Sequence, residues 1–79
     1  MSLFRPNIEK FISENNIPGL IKCTTYRDPE VRLKAFLNLV AREEKTPEII
    51  NALRKMKNDK DVRVRNAAIL KLAEVGDEG

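Results

Sequence analysis

The chain has no histidine and no tryptophan, and a single cysteine, Cys23. Without imidazole, the commonest general base and the commonest metal ligand at neutral pH are missing. One thiol with no histidine gives no nucleophile–base pair and no intrachain disulfide. Cys23 falls in register with Met56 on a core-facing line, where a small apolar filler is expected. The three glycines are scattered, so no phosphate-cradling loop is encoded. Acidic pairs such as Glu43-Glu44 and Asp77-Glu78 sit at helix ends or in loops, where charge is ordinarily just solvated. No catalytic residue, cofactor-binding residue or metal ligand is expected, and the chain reads as a non-enzyme.

Long apolar runs are also absent. The longest are of the kind Leu39-Val40-Ala41 and Ala67-Ala68-Ile69-Leu70, against the roughly 20 residues a bilayer span needs. The opening Met1-Ser2-Leu3-Phe4-Arg5-Pro6 has no apolar signal region. A lone free thiol and these absences point to a cytoplasmic location. What the chain does have is 42% apolar residues and 34% charged residues in 79. That is enough for one small core and too much for disorder. Net charge is only +3, modest for a nucleic-acid binder.

The chain repeats itself. Shifted by 33 residues, Ile17–Leu39 lies on Ile50–Leu72 without a gap. Leu20 meets Leu53, Lys22 meets Lys55, Asp28 meets Asp61, and Val31-Arg32 meets Val64-Arg65. Ala35, Leu37 and Leu39 fall on Ala68, Leu70 and Leu72. Each copy divides into two helices. The first starts near Ile17-Pro18 and, in the second copy, at Thr46-Pro47-Glu48, where a cap, a proline and an acid follow one another. Asp28-Pro29-Glu30 opens the longer second helix, which runs to Arg42; its counterpart opens at Asp59 or Asp61 and stops at Gly76. A further helix from Asn7 to about Asn15, with Ile8, Phe11 and Ile12 on one side, is placed as a lid over the first pair. No alternating strand pattern occurs, so the fold class is all-α: two helix pairs plus one N-terminal capping helix in an αα-superhelix. The expected divisions are residues 1–16, 17–44 and 45–79 of one domain.

Turning the last helix by 100° per residue gathers Arg63, Asn66, Lys71 and Glu74 on a polar arc. Opposite lie Val62, Val64, Ala68, Ile69, Leu72, Ala73 and Val75, with Arg65 in their midst; Arg32 stands likewise among Val31, Ala35, Phe36, Leu39 and Val40. A buried guanidinium needs a carboxylate. Asp28 and Asp61 each lie one turn before an arginine, and either reaches its own arginine or that of the neighbouring repeat. The alternative is that Arg32 and Arg65 form an anion site.

Asp28-Pro29-Glu30-Val31-Arg32 with Ala35 and Leu39, and Asp61, Val64-Arg65, Ala68, Leu72 and Gly76 in step, resembles the HEAT-repeat signature. The closest likeness is to the short bacterial and archaeal type named after phycobilisome lyases. The resemblance covers about residues 17–76. It implies a HEAT-like solenoid, an Asp–Arg ladder between repeats, and protein binding on a curved surface. The first copy departs at Lys34, where the second has Ala67, and in its charged tail Arg42-Glu43-Glu44-Lys45.

The expected function is that of a protein-binding adaptor. Leu33, Lys34, Leu37, Asn38, Leu70 and Lys71, on the second helices, are the candidate partner contacts. The competing reading is a nucleic-acid backbone gripped by Arg54, Lys55, Lys57, Lys60 and Arg63; against it, the segment has no aromatic to stack on bases. The last helix is as broadly apolar as the interior one, although a terminal repeat is expected to be polar outside. Its open side is therefore expected to stack on something: a second copy in a two-fold dimer, a partner, or further repeats.

Overall fold

The computed structural model describes residues 6–76. The readings made on Met1 to Arg5 and on Asp77-Glu78 lie outside it. Five α-helices follow one another: α1 (Ile8–Ser13), α2 (Ile17–Cys23), α3 (Pro29–Val40), α4 (Pro47–Lys55) and α5 (Val62–Glu74), with a 3₁₀ turn at Met56–Asn58. No strand occurs among the described residues.

Side-chain caps set the boundaries. Asn7, Asn16, Asp28, Thr46 and Asp61 each accept a backbone N–H from the first turn of the helix they precede, and proline stands at the start of α2, α3 and α4. Asp61 caps α5 through Arg63 N (2.8 Å) and Val64 N (3.3 Å), which settles the start of that helix. The end of α1 is a Schellman turn. Asn15 takes φ 56°, its N–H reaches Ile12 O at 3.1 Å, and Asn16 N–H reaches Phe11 O at 2.8 Å. Asparagine tolerates that left-handed conformation. Gly76, at φ 84°, ends α5 in the same region of backbone space. The second helix of the first pair stops at Val40, two residues before the expected Arg42.

The helices pack as two pairs, α2 with α3 and α4 with α5; α3 packs on α4 and α5, and α2 meets α4. The shared core is built from Leu20, Cys23, Val31, Ala35, Phe36, Leu39, Ile49, Leu53, Met56, Val64, Ala68 and Leu72, all buried. Cys23 is unpaired, and burial raises its thiol pKa, so it stays neutral filler rather than nucleophile. Helix α1 lies across α2 and α3, burying Ile8 and leaning Phe11 and Ile12 on the core. The Phe11 ring sits so near Gly19 that a Cβ there would come within 2.9 Å of its Cγ. Lys34 reaches from α3 to Glu9 of α1 at 2.5 Å. This explains why the first copy has lysine where the second has Ala67, since only the first copy faces a capping helix.

Candidate functional site

Of the two arginines expected to be buried, Arg32 is, at 5% exposed, while Arg65 is only half-buried. The carboxylate on Arg32 is neither Asp28 nor Asp61, which are spent on capping α3 and α5. The fork closes instead on Asp59 of the next repeat, Nε to Oδ2 and Nη2 to Oδ1 at 2.8 Å each. Nη1 donates to the carbonyls of Tyr26 and Arg27, both at 2.9 Å. Neither of the two aspartates expected for the arginines takes this fork; the carboxylate comes from the neighbouring repeat, while Asp28 and Asp61 accept N–H groups at the start of their own helices. Asp59 itself is desolvated, which raises its pKa. The hydrogen bonds from Arg32 and from the Asp61 backbone N–H outweigh that and leave it below the ordinary carboxylate range. Four of the five N–H groups of Arg32 are thus taken by a carboxylate and two carbonyls, and the residue is buried, which does not suit an anion site open to solvent.

Arg65 repeats half of this arrangement. Its Nη1 donates to the carbonyl of Asp59 at 3.0 Å, six residues back, as Arg32 does to Tyr26. No carboxylate meets it among the described residues, neither Asp61 of its own repeat nor one from the neighbouring repeat. Asp59 links the two repeats, its side chain on Arg32 and its carbonyl on Arg65.

The same half-completion runs along the helix faces. The row Val31, Ala35, Leu39 in α3 and its counterpart Val64, Ala68, Leu72 in α5 are equally buried, none above 1%. The neighbouring row is not. Phe36 is fully buried and Val40 nearly so, while their counterparts Ile69 and Ala73 are exposed, Ile69 at 47%. Val62, at 53%, extends this exposed row toward the start of α5. Sequence reasoning placed these residues on an apolar arc and did not choose them as partner contacts. The signal was the 33-residue register, which pairs Ile69 and Ala73 with the core residues Phe36 and Val40 of α3.

Of the residues that were chosen, Leu37 and Leu70 are exposed, at 43% and 64%. Leu37 and Lys71 line a groove with Val40, Ala41, Glu74 and Val75 at the α3–α5 edge. Lys71 lies 3.5 Å from Glu74, Asn38 accepts from Arg42 at 3.4 Å, and Lys34 is tied to Glu9. Leu33 is half-buried against the core. The basic residues are not one patch. Arg63 is fastened to Glu30 at 2.6 Å and to Asp61 at 3.4 Å, contacts that raise its pKa. Lys55 and Lys60 flank a cleft of about 480 Å³ with Arg27, Tyr26 and Asp59; Arg54 and Lys57 do not line it.

The family model described as HEAT repeats matches residues 17–79. The chain belongs to the HEAT-repeat family. No curated protein and no solved structure gives a significant match. HEAT repeats generally mediate protein–protein interaction and are typically non-catalytic. Within this HEAT protein, α2–α3 and α4–α5 are the repeats, α1 covers the first, and the outer face of α5 is covered by nothing among the described residues. No helix there is long and apolar enough to cross a membrane, and no three metal-ligating side chains gather.

Proposed function

We propose that this chain is a non-catalytic adaptor that binds another protein through its repeat surface, and chiefly through the outer face of α5. One observation carries the reading: Ile69 and Ala73 occupy the register of Phe36 and Val40, yet are open where those are buried. Exposed Val62, Ile69 and Ala73 share one face of α5 with Arg65 set between them, a composition that suits an interface. The groove with Leu37 and Lys71 continues that surface round the α3–α5 edge. A buried, unpaired Cys23 suits a cytoplasmic setting.

The test is capture from an extract of the source cells by the immobilised chain. A partner held by the wild type and by Asn51→Lys on exposed α4, and lost with Ile69→Lys, supports the reading. A partner indifferent to Ile69→Lys removes it.

A second reading rests on the cleft where Arg27, Lys55 and Lys60 converge beside Tyr26. There an anionic backbone is the ligand, and affinity for a DNA duplex would fall steeply with salt. Binding at physiological salt, weakened by the double change Lys55→Glu and Lys60→Glu, would establish it in place of the first.

A further inference from the structure

The α3–α5 contact inside the molecule shows what the outer face of α5 is shaped to receive. The outer row of α3 is covered by α5, which brings Val64, Ala68 and Leu72 inward and is preceded by a turn whose Asp59 closes on Arg32. Asp59 stands two residues before the α5 cap, Asp61. The outer row of α5 offers the same elements 33 residues on, with Arg65 anchored by its one carbonyl and carrying no carboxylate among the described residues.

Among the described residues, a second copy of this chain presents no carboxylate in that row. In a two-fold pairing α5 meets α5, and the facing row is Val62, Arg65, Ile69 and Ala73: run parallel it brings cation toward cation, and run antiparallel about Ile69 it sets Arg65 against Ala73. Glu74, the acid on that helix, points about 140° away from Ile69 at 100° per residue and lies 3.5 Å from Lys71. Head to tail, the other copy would present its first repeat. That side is covered by α1, and the residue in the register of Asp59 is Tyr26.

We infer that the outer face of α5 is a docking seat for a helix pair of a partner protein, one that carries an aspartate in the turn two residues before the cap of its second helix. That aspartate takes the Arg65 fork, and a row of small and aliphatic side chains on the following helix covers Ile69 and Ala73. This rests on the protein-binding reading above and names the partner's chemistry.

The probe is the full chain extended directly after Gly79 by a copy of its own residues Pro47–Gly76. Gly79 falls on Thr46 in the 33-residue register, so the copied Asp59 arrives one repeat beyond the original. The extended chain is expected to unfold in one transition, with a midpoint roughly 5 °C or more above that of the 79-residue chain. Arg65→Met should lower the midpoint of the extended chain at least twice as far as that of the original, and the extended chain should no longer capture the partner. Two separate transitions, an unchanged midpoint, or an equal effect of Arg65→Met in both chains overturns the inference. So does a dimer of the unextended chain, seen by sedimentation equilibrium and dissolved by Ile69→Lys. If capture by the original chain depends on Ile69 while the extension fails to dock, only the partner chemistry falls; if capture ignores Ile69, the protein-binding reading falls first.

Discussion

Asp59 ties the two repeats together. It neutralises Arg32 in a setting where the two side chains are 9% and 6% exposed, and its carbonyl holds Arg65. Removing one partner of such a pair leaves a buried charge, at a cost of about 3–5 kcal/mol, a large share of the marginal stability of a small domain. Asp59→Ala is expected to lose that much in urea unfolding; Asp61→Ala, which removes a helix cap, about 1 kcal/mol. The pair also sets an acid limit. Because the folded-state pKa of Asp59 is depressed, protons bind the unfolded chain more readily than the folded one. Its contribution is therefore full above the unfolded carboxylate pKa of about 4 and fades as pH falls through the folded value. An unfolding series from pH 6 to pH 2 should show a loss of stability that is smaller in Asp59→Asn, already destabilised, where the share of Asp61, also depressed, remains.

This was the detail the sequence concealed. Asp28 and Asp61 precede their arginines by four residues, the spacing at which helix side chains meet, and both are also the capping residues. Capping claims them, because the N–H groups of the first turn have no other partner. The clue was present in the pair Asp59 and Asp61: one of the two caps the helix, and the other is left for Arg32.

At the scale of the element, α1 and α5 sit at opposite ends and meet opposite demands. Helix α1 is short, and it stays in place through Ile8, the Phe11 ring on Gly19 and the Glu9–Lys34 contact. Gly19→Val forces the ring aside with little gain in helix propensity, so overpacking dominates, at about 1–3 kcal/mol. Hydrogen exchange should show the loss of protection concentrated in α1. Element order, the number of helices and most boundaries were legible because the second copy checks the first residue by residue. The role of Lys34 was not, since its partner Glu9 belongs to the one helix that has no counterpart in the repeat.

For the whole molecule, the asymmetry between the ends is the functional statement. One end is closed by α1, and the other keeps the Ile69 row exposed beside Arg65. Placing lysine at position 69 removes no buried contact among the described residues, so Ile69→Lys should stay within about 0.5 kcal/mol of the wild type in unfolding while partner binding is lost. The apolar arc of α5 was visible in the sequence. Its open side was expected too, but which residues of the arc stay uncovered (Val62, Ile69 and Ala73) depends on where the repeats lie in space, and the fold shows that.

The most direct test is photocrosslinking in the source cells from p-benzoylphenylalanine at position 69, with position 51 on α4 as the control. A discrete adduct to a different protein, formed from position 69 and not from position 51, is the result predicted. An adduct only to a second copy of this chain, or none from position 69, would contradict it.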